Sequence, residues 1–169
     1  MDEFIKWAKK HDLVYEPDSR LDQEYHAFRN LVRASRSWTN LVDGLIRART
    51  GQTRGRWETL FAIGFNKPPV TISTLADRMS LRWPTLVRVL DGLERDGLIT
   101  RVENPADKRS RFISLSPAGR EVIRQIKPML DAERARVLAG FSEEEIKLLT
   151  ALLDRMLKST LTWQEAAAE

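Results

Sequence analysis

Pro84, Thr85 and Arg88 fall within one short stretch in which Leu86, Val89, Leu90 and Leu93 recur at helical spacing. A helix over residues 83–96 turns the apolar set inward and leaves Pro84, Thr85 and Arg88 outside, with Arg82 and Trp83 at its start. The chemistry on offer is hydrogen-bond readout. A guanidinium presents two parallel donors that match O6 and N7 of guanine in a major groove, and a threonine hydroxyl suits a base edge or a phosphate. Further along, Asp107-Lys108-Arg109-Ser110-Arg111 sets three cations among turn-forming residues. A polyanion is the partner such residues fit, and an ordinary solvated, arginine-rich surface is the alternative reading of the same charges.

Other chemistries are poorly supplied. There is no cysteine, so disulfides, thiolate catalysis and thiolate metal sites are absent. His11 and His26 are the sole histidines, too few for a histidine metal site or for histidine acid–base catalysis. No Gly-rich phosphate loop, His-x-x-x-His or Gly-x-Ser-x-Gly motif is present, and nothing singles out a carboxylate pair. The expectation is a protein that is not an enzyme and holds no metal or cofactor. No apolar run reaches the ~18 residues of a membrane span, and residues 1–10 lack a secretory pattern. A cytoplasmic, non-membrane protein is expected. The net charge of +4 is modest, but the excess of Lys and Arg lies before residue 121, and the C-terminal stretch is net acidic.

Elements must hold these residues in place. Residues 1–18 show no sustained period and read as an N-terminal extension, with one short helix around Phe4, Ile5 and Trp7. Ser19 or Asp18 then caps a helix of about 30 residues, ~45 Å long. Leu21, Tyr25, Phe28 and Val32 start its apolar stripe; Leu31 and Ile46 widen the stripe, which implies burial on two sides. Trp57, Leu60, Phe61 and Ile63 mark a second helix over 54–65, ended by Pro68-Pro69. Thr71 caps a short helix with Leu75, Ala76 and Met79 inside, and Ser80-Leu81 is a tight turn. After the helix over 83–96, Gly97 supplies the left-handed stop. Two β-prone runs, 98–103 and 111–115, follow, joined by a loop over 104–110. Ser116-Pro117 opens another long helix. Ser142-Glu143-Glu144-Glu145 is a capping box for a last helix carrying Leu149, Leu152, Leu153, Met156 and Leu157.

Helix, turn, helix and hairpin in this order make a winged helix-turn-helix. The fold class expected is mainly α with a small β-hairpin wing, plus terminal dimerisation helices. Residues 51–117 form the DNA-binding lobe, and 19–50 with 118–169 form the helical dimerisation region.

Over residues 20–160 the chain resembles the MarR family of winged helix-turn-helix transcriptional regulators. The resemblance rests on Thr74-Leu75-Ala76-Asp77-Arg78-Met79, on Pro84 through Ile99, on Asn104-Pro105-Ala106-Asp107-Lys108-Arg109, and on Leu115-Ser116-Pro117-Ala118-Gly119-Arg120. It implies a homodimer that binds a pseudo-palindromic operator in double-stranded DNA, represses it, and lets go when a small aromatic or phenolic effector binds. It also implies that Asp107 orients the wing while Arg109 enters the minor groove. Lys108 and Arg111 would take phosphates, and Thr74 joins Arg82, Trp83, Pro84, Thr85 and Arg88 as a DNA-binding candidate. Arg82 departs from the Ser or Thr frequent at this capping position in the family.

Family ligands often sit where the first helices meet the DNA-binding lobe. The candidates there are Tyr25, His26, Arg29, Trp38, Arg54, Arg56, Trp57 and Phe61. Aromatic walls and guanidinium groups suit an aromatic carboxylate. The alternatives are that Tyr25 and Trp57 are plain core and that the arginines pair with Glu24, Asp43 or Glu58. The other function considered is a winged-helix protein-interaction or dimerisation module that reads no DNA.

Overall fold

The computed structural model describes Glu3 and residues 15–79, 82–105 and 107–166. The helix expected around Phe4, Ile5 and Trp7, together with His11 and the Ser80-Leu81 turn, lies outside the described residues. Two compact units divide between Ile123 and Arg124.

In the first unit, helix α1 (Arg20–Thr50) is capped by Ser19, whose Oγ accepts from the Asp22 N–H at 3.2 Å. Gly51 closes it at φ 69°, a conformation that costs glycine little. Within one chain only part of the apolar stripe is buried. Val42 and Ile46 are the buried residues of α1, whereas Leu21, Tyr25, Phe28 and Val32 are exposed. Helical periodicity reports which residues share a face, and the chain itself leaves the first half of that face uncovered.

Helix α2 (Arg54–Gly64) buries Thr59, Leu60 and Ile63. Thr71 caps α3 (Ile72–Met79) by accepting from the Thr74 N–H at 3.2 Å, and Leu75 points into the core. Helix α4 (Trp83–Arg95) buries Leu86, Leu90, Gly92 and Leu93. At its end Gly97 takes φ 69° and the Leu98 N–H returns to the Leu93 carbonyl at 2.9 Å, so the chain turns sharply into the sheet.

Strands β1 (Ile99–Asn104) and β2 (Asp107–Leu115) form an antiparallel hairpin with Ile99 opposite Leu115 and Glu103 opposite Arg111. The loop expected over 104–110 is therefore much shorter, because Asn104 pairs with Asp107 and residues 107–110 belong to β2. The register breaks between Glu103 and Asn104, and the extra residues of β2 are taken up as a bulge. Polar bonds close it: Asn104 Nδ2 donates to Ser110 Oγ at 2.7 Å, and that hydroxyl donates to the Asp107 carbonyl at 3.2 Å. Asp107 is thus paired across the hairpin, and 108–110 are the residues that the register shift between Glu103 and Asn104 leaves over.

One apolar cluster ties these elements together: Leu60, Leu75, Leu86, Leu90, Leu93 and Ile113 are buried in it. The Ile113 N–H also donates to the Val70 carbonyl at 2.8 Å, which fastens the wing to the segment before α3. Helix α5 (Pro117–Val137) starts in this unit and runs through Pro128 into the second.

The second unit holds the rest of α5 and helix α6 (Glu143–Ala166). The predicted capping box is formed reciprocally: the Glu145 N–H donates to Ser142 Oγ at 3.2 Å, and the Ser142 N–H donates to Glu145 Oε2 at 2.8 Å. That backbone N–H, followed by the Ser142 side chain, holds the Glu145 carboxyl below its ordinary range. A depressed carboxylate pKa contributes stability that is complete above the ordinary glutamate range and is lost as pH falls through the lowered value. Glu145→Gln should therefore unfold with a shallower acid limb in thermal melts from pH 7 downward. Superimposable limbs for the two proteins would contradict this linkage. No helix among the described residues is long and apolar enough to cross a membrane.

Candidate nucleic-acid interface

Helix α4 separates two kinds of residue. Leu86, Leu90 and Leu93 are 0% exposed, while Pro84, Thr85 and Arg88 face solvent. The division follows from 3.6 residues per turn: positions 86, 90 and 93 fall on one stripe, and 84, 85 and 88 lie off it. Trp83 is 50% exposed at the first turn. Arg82 occupies the N-cap with extended backbone and makes no side-chain cap bond, so its exposed guanidinium is not spent on the helix end. Pro84 sits in the first turn, where the missing N–H is no loss.

The wing approaches the same edge. A groove of about 410 Å³ brings Thr71 and Ser73 from the start of α3 and Trp83 from α4 against Asp107, Ser110 and Arg111 of β2. Three predicted residues, Trp83, Asp107 and Arg111, therefore share one groove. Thr74 lies in the first turn of α3, half-buried, with its hydroxyl 3.0 Å from that of Thr71. Asp107 and Arg111 are exposed, and the side chains of Lys108 and Arg109 lie outside the described residues. Five groove residues, Thr71, Ile72, Ser73, Arg101 and Ser110, were not among the sequence-predicted site residues. Thr71 carried a signal as a helix cap, but nothing local told that the wing folds back over it.

Arg101 was missed altogether. It lies on β1 opposite Ile113, and its side chain is only 11% exposed. Nη1 donates to Asp91 Oδ1 of α4 at 2.8 Å, and Nε stands 3.5 Å from Glu94 Oε2.

The effector candidates form two groups along α1. Near its start, the Arg29 guanidinium lies 5.6 Å from the centre of the Tyr25 ring, and His26 Nε2 lies 3.3 Å from Asp22. At α2, Trp57 Nε1 donates to Asp43 Oδ1 at 2.9 Å, and the Trp57 ring meets Phe61 edge-on at 6.0 Å. Tyr25 and Asp43 are separated by ~27 Å at 1.5 Å rise per residue, with the half-buried Trp38 between them. Arg54 pairs with Glu58 at 2.9 Å, as one sequence alternative has it. Arg56 instead reaches Asp96 at 2.6 Å, and Asp43 is taken by Trp57.

The MarR family model matches residues 53–110, the span from the start of α2 to the wing. The MarR family transcription regulator SP03579 is 30% identical, with a TM-score of 0.71 over 88% of this chain and 95% of its own. The chain belongs to the MarR family. The transcriptional regulator PA3341 is likewise similar, at 30% identity and a TM-score of 0.72 over 79% of this chain and 97% of its own. A mutant MarR of E. coli, solved with operator DNA, shares the fold at 20% identity and a TM-score of 0.69, over 83% and 99% of the two chains. As a MarR family member the protein is a winged helix-turn-helix transcription regulator, not an enzyme. Helices α3 and α4 are its helix-turn-helix, α4 its recognition helix and the β1–β2 hairpin its wing.

Proposed function

We propose that the protein is a homodimeric transcription regulator that binds a pseudo-palindromic operator through α4 and the wing and represses it. The observation that carries this reading is the exposure of Pro84, Thr85 and Arg88 on the face of α4 opposite its fully buried leucines. DNA complexes of the E. coli and S. aureus relatives support the same use of the fold. In this reading Arg88 and Thr85 address base edges, Pro84 and Trp83 pack along the groove, and Arg82, Thr74, Lys108 and Arg111 hold phosphates. Arg109 enters the minor groove, whose narrow, electronegative floor suits a guanidinium. A second copy covers the exposed apolar side chains Leu21, Tyr25, Phe28 and Val32 of α1 and Leu149, Leu152, Leu153 and Leu157 of α6. Half-sites then lie about one helical turn apart. A small aromatic acid held by one of the two groups of candidates, beside Tyr25 and Arg29 or beside Trp57 and Phe61, is the effector this reading names, and the setting is the cytoplasm.

Selection from a random duplex pool tests the proposal. Enrichment of a two-fold sequence supports it, and failure to retain any duplex at low salt overturns it. Arg88→Ala should lose ~1–3 kcal/mol at one base pair per half-site, read by competition with single-position variants of the selected operator. An equal loss on every sequence makes Arg88 a phosphate clamp instead. Arg109→Ala should weaken specific and non-specific binding alike and flatten the salt dependence by about one counterion per site. Wild-type affinity and slope would remove Arg109 from the interface.

A further inference from the structure

We infer that Arg101 is a positioning residue for DNA binding, one that braces the wing against the second half of α4 without itself contacting DNA; this rests on the DNA-binding reading above. Its guanidinium comes from β1, and both of its carboxylate partners come from α4. Asp91 and Glu94 stand one turn apart on that helix, so one guanidinium reaches both, through a hydrogen bond to Asp91 and a longer ion-pair contact to Glu94. Those two carboxylates are 56% and 41% exposed, whereas the arginine is 11% exposed. The cation is thus the less exposed member: it lines the wing groove with Trp83 and Arg111 but turns its guanidinium to α4, where groups that remain wet hold it.

That arrangement is a poor one for stability alone. Taking a guanidinium out of water is costly, and an apolar side chain of similar volume often serves a core as well or better. Here Nε and Nη2 are buried and find no hydrogen-bond partner among the described residues, so the arginine is incompletely compensated. What an arginine adds over a leucine is direction. Apolar packing of Leu86, Leu90 and Leu93 against the sheet fixes distance but tolerates sliding, while a forked ion pair fixes the azimuth of α4 relative to β1. That azimuth matters because Pro84–Arg88 and the wing must meet two neighbouring grooves at once.

Arg101→Met keeps the stem and removes the fork. Operator affinity is expected to fall tenfold or more while the slope of log K against log salt stays at the wild-type value, because no phosphate contact is lost. Asp91→Asn with Glu94→Gln is expected to weaken operator binding too, although removing acidic charge near a polyanion should by itself strengthen it. Adding Arg101→Met to that pair should cost little more, since the brace is already broken. A slope reduced by about one makes Arg101 a phosphate contact and overturns the inference, as does wild-type operator affinity in Arg101→Met. Should Arg101→Met fail to fold, Arg101→Lys carries the test: it keeps the charge but not the fork, and unchanged operator affinity counts against the brace. Hydrogen exchange of residues 98–115 in the DNA-free protein gives a separate readout. Faster exchange of the hairpin is expected in Arg101→Met, and wild-type exchange refutes the brace. If the wild type retains no duplex, the DNA reading fails, and the exchange experiment still decides whether Arg101 holds the wing.

Discussion

Gly119→Ala should destabilise the protein by about 3 kcal/mol or more, at the upper end of overpacking changes. A Cβ at this position would lie 2.0 Å from the Leu98 carbonyl oxygen and 3.0 Å from its carbon. Both are backbone atoms, so relief requires the first turn of α5 to move away from the start of the wing. That turn is bound there by several contacts. The Ser116 N–H donates to the Leu98 carbonyl at 3.0 Å, the Ser116 hydroxyl donates to the Gly97 carbonyl at 2.6 Å, and the Gly119 N–H donates to Ser116 Oγ at 3.0 Å. Ser116 is buried, so bonds broken by the movement are not simply replaced by water. A counter-effect exists, since alanine in a helix is favoured over glycine by ~1 kcal/mol. The steric term wins because a 2.0 Å approach cannot be absorbed by a rotamer change. For a chain of this size the loss corresponds to a melting temperature lowered by about 6–12 °C. Calorimetry reads it directly, and a variant melting at or above the wild type would show that α5 does not depend on this close approach.

Leu90→Ala should cost ~2–5 kcal/mol, as expected when a fully buried leucine leaves a cavity. Leu90 is 0% exposed in the cluster with Leu60, Leu75, Leu86, Leu93 and Ile113. It is the middle member of the buried stripe of α4, so its loss opens a gap between Leu86 and Leu93 that Val89 alone adjoins from the same helix. Arg88, two residues earlier, faces solvent, and its replacement by alanine should change stability by no more than ~0.5 kcal/mol. Urea unfolding should therefore show a lower midpoint for Leu90→Ala and an unshifted one for Arg88→Ala. In operator binding at saturating folded protein, the larger defect should belong to Arg88→Ala. Comparable losses of stability in the two variants would mean that α4 is not amphipathic in the way its burial pattern indicates.

The helices were legible because their determinants are local. Ser19 and Thr71 act as caps, Ser142 and Glu145 bond each other's backbone N–H, and Gly97 adopts the left-handed stop, each as its residue type and position indicated. The inner face of α4 was legible for the same reason, since periodicity alone divides Leu86, Leu90 and Leu93 from Arg88. The hairpin was legible in kind but not in register. Its tip holds residues that favour turns, and only the Asn104–Ser110 bond and the pairing of Asn104 with Asp107 draw 107–110 into the strand.

Side-chain partners distant in sequence were the least legible. Arg56 could be read as a ligand group or as a partner of a nearby acid, yet it reaches across 40 residues to Asp96. Arg101 carried no local mark at all, because an isolated arginine in a β-prone run looks like any solvated strand residue.

Sequence by itself determined the order of elements, the helix ends and the division of α4 into a buried and a presented face, because caps and periodicity act within a few residues. Tertiary structure alone decided that Thr71 and Ser73 share a groove with the wing, that Arg101 reaches from β1 to the carboxylates of α4, and that the first half of α1 is not buried within its own chain. Those facts depend on which distant surfaces come together, and the packing of a shared core decides that, not any single stretch of chain.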